Sequence, residues 1–223
     1  MAAAMNYDQA RFNMIEQQIR PWNVLDPTVL KLLSIVRRED FVPEAQRALA
    51  FADLEIPLGE KPGQTMLAPK IEARMLQELA LKNTDTVLEI GSGSGYMAAL
   101  LAAKAEFVYA VDIDPAMVEM ARNNLAKAGV ANVSVDLGDA AQGWPLYAPY
   151  DAIVVSASMP VLPEALLRQL KIGGRLVAIV GELPAMQVQL VTRSDENAFT
   201  TTVVFETVAA PLVNAPRHEK FVF

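Results

Sequence analysis

Residues 86–96 read TVLEIGSGSGY. Five strand-type residues run into a glycine–serine alternation, and Tyr96 then opens MAALLAAKA, a run with helical composition. A strand, a glycine turn and a helix in direct succession form the unit from which α/β sheets are built. Glycine lets the backbone turn with φ > 0 and approach a ligand closely, and the loop delivers that ligand to a helix N-terminus. A dinucleotide loop, G-x-G-x-x-G, would place its third glycine where Tyr96 stands. The spacing here is Gly91, Gly93, Gly95, with Ser92 between the first two and Glu89 two residues ahead. An acid at that point suits a positive group, such as the ammonium of an amino acid, and suits a pyrophosphate badly. Taken alone, the loop is also compatible with a plain tight strand–helix turn.

The pattern repeats outward. Strand-like runs FVYAVDI, NVSVDL, YDAIVVSA, GRLVAIV and MQVQLVT alternate with helical runs at 95–104, 115–128 and 162–170. Such alternation predicts a parallel sheet with crossover helices, and VLEI and AIVV are apolar on both faces, as doubly covered strands are. Between MQVQLVT and FTTTVVFETV stands only the polar turn RSDENA, too short for a crossover, so that pair is antiparallel. Upstream, residues 7–48 carry helical period: Phe12, Ile15 and Ile19, then Val29, Leu32, Leu33 and Val36, with Asp26-Pro27 as a helix start. A looped stretch at 49–69 leads into a helix over 69–81 with Ile71, Met75, Leu76 and Leu79 on one face. The reading is one α/β domain, 1–223: N-terminal helices and a substrate loop at 7–81, a cofactor-binding core at 82–193, and the last strand and tail at 194–223.

The second strand ends at Asp112, 21 residues past Gly91, where a doubly wound sheet brings its tip beside the glycine loop and a carboxylate can take both ribose hydroxyls. The third ends in GDA, so Asp139, or the backbone of Ala140, can read an adenine amino group. Singly, Asp112 is equally a solvated strand end and Asp139 a turn residue; Asp114 is the better cap for the helix that Pro115 begins. Together, partners for an amino-acid head, a ribose and an adenine describe S-adenosylmethionine.

Composition narrows the alternatives. A net charge of −7 without a Lys/Arg cluster opposes nucleic-acid binding. No cysteine and a single histidine, His218, oppose a zinc site, a thiolate nucleophile and a serine–histidine triad. No apolar run reaches the roughly 18 residues of a membrane span, and MAAAM has no basic or long apolar region of the secretory kind, so a cytoplasmic protein is expected. No feature of the sequence sets an oligomeric state.

The chain resembles the class I S-adenosylmethionine-dependent methyltransferases in VLEIGSGSGY, VDID and GDA. More narrowly it resembles the protein-L-isoaspartate O-methyltransferases in MIEQQIR, VRREDFVPEA, PGQTMLAP, GDAAQGWPLYAPYDAIVV, LKIGGRLV and APL, from about residue 13 to 212. The resemblance implies a Rossmann-like, seven-stranded, mostly parallel sheet with one antiparallel strand near its edge. It implies methyl transfer from S-adenosylmethionine to the α-carboxylate of isoaspartyl residues in damaged proteins. It also assigns Gln64, Thr65 and Met66 to the cofactor and Thr65 and residue 67 to catalysis. Here the sequence departs: the family's loop reads GQTIS, and its serine position is Leu67. Met66 and Leu67 then wall a greasier cleft, or pack into the core. Two alternatives stay open, a paralogue with a less polar methyl acceptor and a cofactor-binding protein without catalysis. GDAA in place of the family's GDG leaves the backbone of Ala140 available. Trp22 reads as an anchor for the N-terminal helices, and Trp144 as either a structural residue or a flank of the pocket.

Overall fold

In the computed structural model, which describes residues 6–217, seven strands form one sheet in the order β5-β4-β3-β6-β7-β8-β9. They are β3 (Thr86–Ile90), β4 (Phe107–Asp112), β5 (Val133–Leu137), β6 (Tyr150–Met159), β7 (Leu170–Glu182), β8 (Ala185–Arg193) and β9 (Phe199–Thr207). A small antiparallel hairpin, β1 (Ile56–Pro57) with β2 (Thr65–Met66), stands apart. β3 to β7 pair in parallel, and β8 runs antiparallel to both β7 and β9. The expected single antiparallel strand is therefore β8, one place in from the edge. His218, the FVF end and the MAAAM lead lie outside the described residues.

The helices are α1 (Tyr7–Met14), α2 (Pro27–Ile35), α3 (Pro69–Leu79), α4 (Tyr96–Ala102), α5 (Pro115–Lys127) and α6 (Glu164–Leu167). Asp26 and Asp114 cap α2 and α5 by accepting the backbone N–H of Thr28 and Ala116. α3 buries Ile71, Met75, Leu76 and Leu79, the predicted face. One core cluster runs from Met14 through these residues to Ala209, so the N-terminal helices and the sheet share it. Trp22 packs edge-on against Phe205 at 5.6 Å, with the Lys70 ammonium 4.0 Å from its ring centroid, which is the anchoring place expected of it. Trp144 packs against the second cluster, on the other face of the sheet.

Two expectations need correction. The helix expected at 162–170 shrinks to Glu164–Leu167. Pro163 sets its start, and Leu170 is already paired with Tyr150 as the first residue of β7. Phe12, read in one helical period with Ile15 and Ile19, is 59% exposed, whereas Arg11 is buried. Arg11 reaches the buried Glu39 and lies over the Phe51 ring, so a charged residue holds the inward position. A π-helical turn over Ile15–Ile19 follows α1, so Phe12, Ile15 and Ile19 do not keep a plain 3.6-residue period.

Candidate active site

The strand order reverses between β3 and β6, and the crevice beyond the C-terminal ends of strands at such a point is where open α/β sheets bind ligands. The loop after β3 turns there through Gly91 (φ +85°), Gly93 (φ +47°) and Gly95 (φ +82°), positive values that side chains seldom tolerate. The Gly93 N–H donates to Asp112 Oδ2 at 2.9 Å, and the Asp114 N–H donates to Oδ1 at 3.0 Å. The tip of β4 is thus bound to the glycine loop through one carboxylate. β6 carries a register irregularity between Val155 and Ser158, which brings Ser156 into the cleft wall.

The predicted residues fall into two adjoining spaces. Gln64, Thr65, Gly91, Gly93, Asp112, Asp139 and Ala140 line an open cleft. Met66, Leu67, Glu89 and Ser92 line a smaller inner pocket, which shares Thr65, Gly91, Gly93 and Ser156 with the cleft. Met66 and Leu67 belong to the hydrophobic core as well as to that inner wall. Gly95, read as a cofactor contact, lines neither space. A Cβ there would come within 3.1 Å of the Ala121 backbone, so its glycine serves the close packing of α4 on α5.

Several of these side chains have defined partners. The Thr65 hydroxyl donates to Glu55 at 3.2 Å. Asp139 accepts from the Ala141 N–H and from Asn214 Nδ2, closing the cleft mouth against the C-terminal segment. Asp114, read only as a helix cap, also accepts from Lys61 and Gln64 and clamps the loop 59–64 over the cleft. The Lys61 bond holds its carboxyl below the usual range. Sequence reasoning missed this clamp, Ser156, and Pro211 and Leu212 of the opposite wall. For the last two the APL stretch carried the signal. Behind Leu67, the fully buried Arg38 donates to Glu72, to the Ala50 carbonyl and to the Leu67 carbonyl.

Burial pushes Asp112 up from the ordinary carboxylate value, against the opposing N–H bonds of Asp114 and Gly93. Glu89 is pushed well up, by burial first, then by the charges of Glu72 and Asp112. The folded protein therefore binds that proton more tightly than the unfolded chain does. The stability linked to it is complete below the ordinary value of 4.5 and is lost as pH rises toward the folded value. Glu89→Gln is expected to flatten this part of the stability–pH curve, seen as urea midpoints that fall less as pH rises above the ordinary value of 4.5.

Glu89 in the inner pocket and Asp112 in the cleft lie on either side of the shared glycine turn, so the donor set fits S-adenosylmethionine: a buried, partly unpartnered carboxylate for an ammonium, and a second carboxylate beside close backbone. The sequence of this framework matches a known family model, Protein-L-isoaspartate(D-aspartate) O-methyltransferase, over residues 9–217. The chain belongs to the protein-L-isoaspartate O-methyltransferase family. A protein-L-isoaspartate O-methyltransferase of Rhodopseudomonas palustris is 43% identical over 203 residues, covering 91% of this chain and 92% of its own. One of Methanoculleus marisnigri is 47% identical over 171 residues, 77% of each chain. A Plasmodium falciparum structure assigned to the same family, in complex with S-adenosyl-L-homocysteine, superposes with a TM-score of 0.77 at 19% identity. It covers 94% of this chain and 99% of that one, and it shows the fold. Among the described residues no helix is long and apolar enough to cross a membrane.

Proposed function

We propose that the chain methylates the free α-carboxylate of L-isoaspartyl residues in damaged proteins, with S-adenosylmethionine as donor. The observation that carries this reading is the family match across residues 9–217 together with two adjoining spaces, lined by Asp112 and by Glu89, that share the glycine loop and the 62–69 loop. S-adenosylmethionine supplies a methyl carbon on a positively charged sulfur. The acceptor carboxylate is ionised at neutral pH, so no general base is required, and placing oxygen, carbon and sulfur in line supplies much of the acceleration. In this assignment Asp112 takes the ribose hydroxyls, Asp139 and the Ala140 backbone take the adenine, and Gln64 and Met66 hold the loop against the cofactor. Gly91, Ser92 and Gly93 let the main chain approach it. Ester formation at the isoaspartyl carboxylate sets up ring closure to a succinimide, which permits repair. S-adenosylmethionine is made inside cells, which supports a cytoplasmic setting.

With Leu67 at the family's serine position, the hydroxyls left on the cleft wall are those of Thr65 and Ser156. A labelled-methyl assay with an isoaspartyl peptide and its aspartyl counterpart tests the reading, which expects transfer to the first alone. Leu67→Ser adds the discriminating arm. A hydrogen bond to a charged group is worth about 1.5–3 kcal/mol. Should the native acceptor be less polar, restoring serine would raise isoaspartyl methylation about 10–100-fold. The isoaspartyl reading expects a change below about tenfold. Leu67 is 5% exposed, and truncating such a residue costs about 2–5 kcal/mol, so the folded fraction is measured alongside.

A further inference from the structure

The inner pocket behind the cleft holds polar atoms that the protein itself leaves unanswered. Glu89 Oε2, Ser92 Oγ and the Tyr96 hydroxyl are buried on its wall and have no hydrogen-bond partner among the described residues. Glu89 sits in the middle of the sheet, on a strand paired on both sides, with no exposed surface. Its Oε1 receives only a long bond, 3.4 Å, from Ser156. The polar side chains around it are hydroxyls or other acids, among them Glu72 from α3, Tyr96 from α4, Asp112 from β4, Ser156 from β6, Thr65 from β2 and Ser92 from the glycine loop. The guanidinium behind this wall, Arg38, is already engaged by Glu72 and two backbone carbonyls.

An ionised carboxylate in such surroundings, with neither cation nor N–H donor, carries a heavy desolvation penalty, and a group so placed neutralises instead. A ligand ammonium reverses the balance, because an opposite charge in contact favours the ionised acid. We propose that Glu89 carries a proton in the free protein and releases it to solvent when the cofactor's ammonium enters the inner pocket, so that cofactor capture and proton release are one event. The ammonium keeps its own proton, and the pocket gains a contact ion pair in place of a neutral acid. The burial-driven rise in the Glu89 carboxyl agrees with this. Affinity for the cofactor then grows with pH while Glu89 is still protonated in the free protein. It falls again once the ligand's α-amino group, with an ordinary value of about 7.7–8.0, titrates.

The proposal rests on the cofactor assignment and not on the acceptor. Its test is calorimetric titration of the full chain with S-adenosylhomocysteine, which bears the same ammonium, at about pH 6.5, where that ammonium is fully charged. Two buffers of different ionisation enthalpy, phosphate and imidazole, report the protons exchanged. The expected result is release of close to one proton per ligand bound. Two comparisons sharpen it: 5′-methylthioadenosine, which lacks the amino-acid tail, binds without release, and Glu89→Gln binds S-adenosylhomocysteine without release. Equal heats in both buffers for the unsubstituted protein overturn the proposal, and so does undiminished release from Glu89→Gln or with 5′-methylthioadenosine. No binding of S-adenosylhomocysteine at all overturns both this proposal and the cofactor assignment. Proton-linked binding without isoaspartyl methylation upholds the proposal and removes only the acceptor assignment.

Discussion

Replacing Arg38 with methionine is expected to destabilise the protein by about 3–5 kcal/mol. Arg38 is 0% exposed, and its guanidinium donates to Glu72 and to the carbonyls of Ala50 and Leu67 while lying 5.0 Å from the centroid of the Tyr96 ring. Truncation leaves the buried Glu72 carboxylate without its counter-charge and two buried carbonyls without donors, and each loss adds a desolvation penalty. Burial already pushes the Glu72 carboxyl up despite Arg38, and losing the guanidinium raises it further. The double variant Arg38→Met with Glu72→Met removes both charges together. It is expected to recover most of the stability, because an apolar replacement of a buried pair is often neutral. Urea unfolding of the two single variants and the double variant forms a cycle whose coupling energy should exceed about 1 kcal/mol. A loss below that in Arg38→Met would show that the guanidinium does not hold the Leu67 carbonyl in place.

That buried pair marks where the sequence stopped being legible. The strand–helix alternation, the antiparallel partner of MQVQLVT and the glycine turn follow from local chemistry: β-branched runs, a six-residue polar turn and residues that tolerate φ > 0. Asp112 was legible for the same reason, since topology alone puts the tip of the second strand beside the loop after the first. VRREDF, by contrast, sets four charged residues side by side with no apolar period that would mark any of them as buried. Yet Arg38 and Glu39 are buried, because their partners Glu72 and Arg11 come from helices at other points of the chain. Long-range pairing of opposite charges leaves no periodic trace in the sequence. The choice between core and cleft wall for Met66 and Leu67 was undecidable at that level for a similar reason. One face of the segment meets the core while the other closes the inner pocket. The Lys61–Asp114–Gln64 clamp was hidden because a residue already assigned to a helix cap has a second oxygen to spend elsewhere.

Asp112→Ala is expected to weaken S-adenosylhomocysteine binding by about a hundredfold or more. Each Asp112 oxygen already accepts one backbone N–H, from Gly93 and from Asp114. An ionised carboxylate offers about four lone-pair sites, so two remain toward the cleft that Asp112 lines. Two ribose hydroxyls bonded there, at about 1.5–3 kcal/mol each for a charged acceptor, amount to roughly two to four decades of affinity. Part of the loss comes from the glycine loop, whose Gly93 N–H is left without its acceptor. Asp112→Asn separates the two contributions, since its carbonyl keeps the Gly93 bond and gives up the charge. Its affinity should lie between the unsubstituted protein and Asp112→Ala. Asp139→Ala is the second comparison. Asp139 is exposed, and its oxygens are occupied by Ala141 and Asn214, so its removal should weaken binding by about tenfold or less. The ordering itself carries the argument: a general collapse of the cleft would weaken all three variants alike and lower their melting points together. A ribose contact at the tip of β4 instead ranks them Asp112→Ala, Asp112→Asn, Asp139→Ala with little change in melting. Binding by Asp112→Ala within about threefold of the unsubstituted protein would remove Asp112 from the cofactor site.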